Sequence, residues 1–263
     1  MFATKEGHML DQPDGALDQG QYSPEEIRKY EAIYGRNFIS PGGEATARAL
    51  LGLAALEPSM NVLDVGCGLG GAAFVMAQAF DVQVHGIDLS CNMLAIAQAR
   101  LEQAGLAHAV SFEHADILRY VPAIEYDLVH SRDVFLHIHD KAGLFAAIMG
   151  CLRPGGQLLF SDYLCRAGVR SADFEAYIES RGYDLRSLDQ YRALLGLAGF
   201  DVLLAQDRTP EFVDILEHEL ERLGSCQLDQ ADRAALAHSW QHKLRRARAG
   251  EQRWGVLLAR KPV

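Results

Sequence analysis

Long apolar runs are missing from this chain. No segment is long and uncharged enough to cross a bilayer as a helix, and the opening residues, MFATKEGHMLDQPDGALDQG, lack the basic start and apolar stretch of a secretory signal. A soluble, untargeted protein with no membrane insertion is the expectation. Cysteine is sparse as well. The 5 cysteines, Cys67, Cys91, Cys151, Cys165 and Cys226, are odd in number, scattered and free of any C-x-x-C pair. This argues against a disulfide scaffold or a thiolate zinc site and points to reduced thiols in a cytoplasmic protein. Positive charge is in the minority: 25 Lys and Arg stand against 35 Asp and Glu, a formal charge of -10. That balance argues against a non-specific nucleic-acid binder, whose affinity rests on neutralising phosphates. A local basic pocket for a small anion stays open. The chain also lacks internal repeats and low-complexity tracts.

What the chain does have is apolar surface. With 49% hydrophobic residues among 263, it can bury a large core as one α/β domain with modest additions. Apolar runs alternate with helical patterns from Asn61 onward, as in βαβ units of a parallel sheet. The expected strands are VLDVG from Val62, VQVHGIDL from Val82, AVSFEHAD from Ala109, YDLVHS from Tyr126, QLLFSDYL from Gln157, FDVLLAQD after Gly199 and the closing RWGVLLARK. Residues 91–104 and 141–152 read as helices, 211–249 as one or two helices broken near Gly224, and Arg153-Pro154-Gly155-Gly156 as a turn into the fifth strand. The first twenty residues, polar and carrying Pro13, Gly15 and Gly20, are expected to form a flexible tail ahead of a single domain over 21–263. Within it, 21–56 and 165–187 fall outside the βα rhythm. They are expected to cap the carboxyl ends of the strands, where open α/β sheets bind ligands.

The passage VLDVGCGLGG, Val62 to Gly71, runs a short strand into a glycine loop in which backbone N–H groups can approach a ligand closely. Gly66, Gly68 and Gly71 also satisfy the G-x-G-x-x-G of nicotinamide and flavin enzymes, so the loop alone does not choose a cofactor. Three acids do more. Asp64 precedes the loop, Asp88 ends the second strand where an acid can take ribose hydroxyls, and Asp116 with the apolar Ile117 follows the third strand, suited to an adenine amino group and ring. A cationic sulfonium and ammonium favour such an acidic loop, whereas a pyrophosphate prefers a helix N-terminus free of carboxylates. This combination resembles the class I S-adenosylmethionine-dependent methyltransferases. It implies a Rossmann-like fold with a seven-stranded, mostly parallel sheet, N-terminal helices and an inserted helical lid over the active site.

Two further passages carry chemistry. SRDVFLHIHDK places Asp133 and His137 four apart after the fourth strand, and YIESRGYDL places Tyr177 and Arg181 four apart on one helical face with Tyr183 behind. A guanidinium fork among tyrosine hydroxyls is a plausible clamp for a phosphate or carboxylate. Together with QYS at Tyr22, YEAIYGRNFISPGG, FSDY, DRTPEF and the terminal RWG, these passages are similar to the phosphoethanolamine N-methyltransferases from about Gln21 to the C-terminus.

The resemblance implies methyl transfer from S-adenosylmethionine, leaving S-adenosylhomocysteine, to phosphoethanolamine or its mono- and dimethyl forms. Tyr22 and His137 are implied as the catalytic pair, with Asp133 near the amine. Gln21, Tyr30, Ile39, Ser40, Tyr163, Tyr177, Arg181, Tyr183 and Lys243 would line the phosphobase pocket. Cofactor contacts would fall on Ser40, Asp64, Gly66, Asp88, Leu89, Asp116, Ile117, Ser131 and Arg132. Methyl transfer from a sulfonium needs no metal, so His137-x-His139 is not read as a ligand set. His114, His130 and His139 read as solvated or satisfied histidines, and Arg245, Arg246 and Arg248 as a solvated helix end. A monomer is expected. The alternative is a methyltransferase of the same fold acting on another small amine, a thioether or a zwitterion, with Arg181 on a carboxylate.

Overall fold

Seven strands form one sheet: β1 (Asn61–Val65), β2 (Gln83–Asp88), β3 (Val110–His114), β4 (Tyr126–Arg132), β5 (Leu152–Cys165), β6 (Asp201–Asp207) and β7 (Gln252–Arg260). The computed structural model describes residues 16–263. The strand order is β3-β2-β1-β4-β5-β7-β6. Strands β1 to β5 pair in parallel, while β7 runs antiparallel to both β5 and β6. The expected seven-stranded, mostly parallel sheet is therefore found. Since β1 pairs with β2 on one side and β4 on the other, the strand order reverses at β1 and opens a crevice beyond its carboxyl end.

Each face of the sheet carries its own core, because successive strand residues point to opposite sides. Leu159 joins Phe74 and Trp254 on one face, while its neighbours Leu158 and Phe160 join Phe145 and Tyr191 on the other. The expected turn at Arg153-Pro154-Gly155-Gly156 is instead absorbed into β5 as an irregularity: Leu152 pairs with Tyr126, and the ladder resumes only at Gln157 with Leu128.

Helix ends fix the segments that matter for function. Helix α2 (Pro24–Tyr34) starts at Ser23, whose hydroxyl accepts from the Glu26 N–H, with Pro24 in its first turn. Helix α3 (Gly43–Leu51) follows, then α4 (Gly71–Phe80) directly after the glycine loop. Helix α5 (Cys91–Ala104) is capped by Ser90. Helix α6 (Lys141–Cys151) is capped by Asp140, and α7 (Ala172–Arg181) starts at Ser171 and stops at Gly182, where a φ of 62 turns the chain toward Tyr183. The long C-terminal helical passage is broken as expected, into α9 (Thr209–Ser225) and α10 (Gln230–Arg248), with α8 (Leu188–Leu197) before β6.

Part of the expected tail, 1–15, lies outside the described residues. In the remainder, Ala16–Gln19 form a short helix, α1, whose Asp18 contacts the start of α5. The Asp18 carboxylate accepts from the Ser90 hydroxyl (2.5 Å) and the Cys91 N–H (3.1 Å), while the Asn92 amide donates to the carbonyls of Asp18 and Tyr22. A carboxylate at the first turn of α5 meets free N–H groups and the positive end of the helix dipole.

Candidate active site

The crevice at the end of β1 opens into a cavity of about 680 Å3. Its cofactor side is built from the glycine loop. Gly66 has φ 70, and a Cβ there would lie 2.3 Å from a Val134 methyl, so this turn admits no side chain. Asp88 braces the loop, accepting from the N–H groups of Gly68 and Ser90, each at 2.8 Å. Burial raises the Asp88 carboxyl above its ordinary value, with those backbone donors working against the shift. Asp116, two residues past β3, accepts from the Leu118 N–H through one oxygen, and Ile117 is buried beside it.

Asp64 sits next to the carboxyl end of β1, buried, with one carboxylate oxygen 2.7 Å from His130 Nδ1. The other oxygen is buried without a partner among the described residues, although Asp64 lines the cavity. An orphaned carboxylate oxygen beside a glycine loop fits an ammonium-bearing cofactor such as S-adenosylmethionine. The residues present therefore fit that group. His130 meets Asp64 through Nδ1 alone, and its Nε2 is buried without a partner among the described residues, whereas His114 meets the Leu89 carbonyl and His139 that of Gly182.

The acceptor side comes from five parts of the chain. Asp133, at φ 56, turns β4 into a single 3-10 turn, Phe135–His137, and accepts from the Ser161 hydroxyl (3.0 Å) and the Trp254 indole N–H (2.8 Å). His137 meets Tyr183 edge-on at 5.2 Å between ring centroids, and Tyr183 meets Tyr177 at 5.9 Å. Burial, then the charges of Lys141 and Arg181, push the His137 imidazole down to about 4, so it is neutral near pH 7. Burial raises the Tyr22 hydroxyl above its ordinary value, keeping it a neutral phenol, and the Gln21 amide donates to it at 3.2 Å. Tyr163 is buried, with the Lys243 ammonium 5.5 Å from its ring and 4.5 Å from that of Trp240. Lys243 also donates to the Tyr163 hydroxyl at 3.4 Å.

Tyr30, Ile39, Ser40, Leu89 and Arg181 line the same cavity, as do all the expected site residues except one. That exception is Ser131, which is buried and whose hydroxyl donates to the Val65 carbonyl at 2.8 Å inside the sheet. Arg132 reaches the cavity, yet its guanidinium donates to the carbonyls of Pro41 (2.8 Å) and Gly43 (3.1 Å), bracing the loop ahead of α3. The reading of Arg246 as solvated is corrected: it is half-buried, lines the cavity and stacks on Tyr177 with 3.7 Å from guanidinium carbon to ring centroid. Arg245 and Arg248 are exposed as expected. The sequence reading also passed over Tyr34 and Trp240, whose rings meet at 5.6 Å on the cavity wall. The spacing Trp240, Lys243, Arg246 on α10, three apart each time, is the signal that marks one shared face.

Residues 56–183 match a family model described as a methyltransferase domain. The chain is 41% identical over 253 residues to phosphoethanolamine N-methyltransferase 1 of Arabidopsis thaliana, covering 93% of this chain and 51% of that protein. It spans about half the length of the plant relatives it matches. With the phosphoethanolamine N-methyltransferase of Plasmodium falciparum it shares 30% identity over 256 residues, covering 93% of this chain and 95% of that protein. Among solved structures, phosphoethanolamine N-methyltransferase 2 of Haemonchus contortus, in complex with phosphomonomethylethanolamine and S-adenosylhomocysteine, superposes with a TM-score of 0.90 at 35% identity. That match covers 94% of this chain and 59% of the other.

Proposed function

Since the chain belongs to the phosphoethanolamine N-methyltransferase family, we propose that it transfers methyl groups from S-adenosylmethionine to the amine of phosphoethanolamine or its mono- and dimethyl forms, toward phosphocholine. The observation that carries this reading is a single cavity with two unlike sides. Asp64, Asp88 and Asp116 stand on one side, the cations Arg181 and Lys243 among tyrosines on the other, and the Asp133 to His137 turn joins them. Val134 of that turn closes on Gly66, and His137 closes on Tyr183.

In this reading Asp64 holds the cofactor's ammonium through its free oxygen, Asp88 its ribose, and Asp116 with Ile117 its adenine. The bound cofactor supplies an electrophilic methyl group on a sulfonium. Arg181, Lys243 and the tyrosine hydroxyls hold the phosphate, and each charge-assisted hydrogen bond contributes about 1.5 to 3 kcal/mol toward fixing a small flexible substrate. The amine arrives mostly protonated, with a lysine-like pKa of ~10.4, and exposing its lone pair near neutral pH costs about 4 to 5 kcal/mol. His137, neutral near pH 7, accepts that proton. Arg181 is among the charges depressing His137, so a phosphate seated on Arg181 offsets that charge and returns basicity to the imidazole. Tyr22, held as a neutral phenol, orients the amine by hydrogen bonding, with Asp133 as the nearby countercharge. Tyrosine faces hold the cation that grows as N–H groups are replaced.

The reading takes the chain as a monomer, since one chain supplies residues for both sides of the cavity. It places the protein in the cytoplasm, consistent with the five unpaired thiols. The test is incubation with S-adenosylmethionine and, in turn, phosphoethanolamine and its mono- and dimethyl forms, with products resolved by mass. Stepwise gains of one methyl group are expected, and ethanolamine without phosphate should be a poor acceptor. No transfer to any of the three phosphobases would sink the proposal.

A further inference from the structure

Helix α10 ends in three arginines with different fates. Arg248 pairs with Glu217, and Arg245 donates to His242 on the exposed face. Arg246 alone of the three turns inward. Its Nε donates to the carbonyl oxygen of the fully buried Gln252 side chain at 3.0 Å, and its guanidinium lies flat over Tyr177, 3.7 Å from the ring centroid. Arg181 approaches the same ring at 5.9 Å, and Lys243 stands one helical turn before Arg246.

Arg246, Arg181 and Lys243 all line the cavity, and among the described residues none is ion-paired with a carboxylate. Of the acids near Lys243, Glu219 is committed to the Gly42 N–H and the Trp240 indole, and Asp133 accepts from the Ser161 hydroxyl and the Trp254 indole through one oxygen. Three unpaired cations around one recess are costly to hold together unless an anion with more than one charge joins them. One cation suffices for a carboxylate, whereas a phosphate monoester near neutral pH carries up to two negative charges over three oxygens. Anchoring by Gln252 and stacking on Tyr177 leave the terminal guanidinium nitrogens free as a preset fork.

We infer that Arg246 is a specificity-determining residue: with Arg181 and Lys243 it forms a three-cation recess that selects a phosphate monoester dianion over a carboxylate as the acceptor's remote group. This rests on the phosphobase reading above and adds to it the group that separates phosphate from carboxylate acceptors. Arg246 also positions Tyr177, whose ring it covers.

The experiment compares the whole protein with Arg246→Gln and Arg246→Lys, measuring kcat and KM for phosphoethanolamine, the inhibition constant of inorganic phosphate, and S-adenosylmethionine affinity. In Arg246→Gln, KM and the phosphate inhibition constant should rise together by about 10- to 100-fold, the loss of one charge-assisted contact, with kcat altered by less than about threefold. Cofactor affinity should hold, the preference for phosphoethanolamine over β-alanine should narrow, and Arg246→Lys should recover part of the loss. Unchanged KM and inhibition constant in Arg246→Gln, or a parallel loss of cofactor affinity in both variants, would overturn the inference. A wild-type protein that binds phosphate through Arg246 yet methylates no phosphobase would instead overturn the proposed function and leave this assignment standing.

Discussion

Lys243 lies against the rings of Trp240 and Tyr163, and burial there pushes its ammonium down to about 8, with Glu219 opposing the shift. The consequence for binding has a definite sign. Below pH 8 the side chain is a cation and attracts the phosphate; above it the proton leaves and one of the recess charges disappears. The value of kcat/KM for phosphoethanolamine should therefore fall as pH rises through about 8, because that ratio reports ionisations of the free enzyme. Lys243→Arg, whose guanidinium stays charged, should move this alkaline limb upward. Profiles for wild type and variant that coincide would show that Lys243 does not carry the limb.

At the scale of elements, the turn bearing His137 is not free. The buried Lys141 ammonium donates to the carbonyls of Phe135 (2.7 Å), Ile138 (2.5 Å) and Asp184 (3.1 Å), and lies 3.2 Å from the Asp184 carboxylate. The Asp184 N–H donates to the Leu136 carbonyl at 2.8 Å. These bonds join the His137 turn to the segment after α7, so His137 and Tyr183 are set as one unit. Asp162 supports the turn from below, accepting from the Leu136 N–H and from the Tyr191 hydroxyl. Lys141→Met strands three carbonyls and a carboxylate, and breaking a buried pair in this way destabilises by about 3 to 5 kcal/mol. Displacing a catalytic group by about 1 Å can lower turnover by about 100-fold. A depressed melting temperature with kcat reduced far more than cofactor affinity is the expected result. Thermal melts and steady-state kinetics check it, and an unaltered kcat would refute the coupling. On the other flank, Asn92 and Asp18 fasten the Tyr22 backbone to the start of α5, next to Asp88. Tyr22 is thus held from the cofactor side of the cavity.

For the molecule as a whole, the reversal of strand order at β1 places the cofactor side in the middle of the sheet. A ligand seated there bridges several strands, and binding only to the folded form adds about 2.7 kcal/mol at 100 times its Kd. For a chain of this size that corresponds to a melting shift of about 5 to 10 °C. S-adenosylhomocysteine at that ratio should produce it. Asp64→Asn, at that same ligand concentration, should lose most of it, because the unpartnered carboxylate oxygen is the charge a cofactor ammonium would meet. Calorimetric melts with and without ligand decide the matter; a full shift in Asp64→Asn would remove Asp64 from cofactor binding.

The sequence by itself determined the strands, the glycine loop and the placing of Asp64, Asp88 and Asp116, for a physical reason. Strands of a parallel sheet end at one edge, so acids at successive strand ends must converge there whatever surrounds them. The Tyr177, Arg181, Tyr183 cluster was legible for a similar local reason, since helical spacing and the glycine after α7 fix their relation. Only the tertiary structure decided which face of α10 meets the cavity. An arginine on a helix end reads the same whether it faces water or a recess, and Arg245, Arg246 and Arg248 part company only when α10 packs beside α9 and β7. Ser131 shows the same dependence: the register of β4 against β1 is what sets its hydroxyl on the Val65 carbonyl inside the sheet. Local chemistry is written along the chain, whereas the partner each side chain meets depends on contacts between residues far apart in sequence.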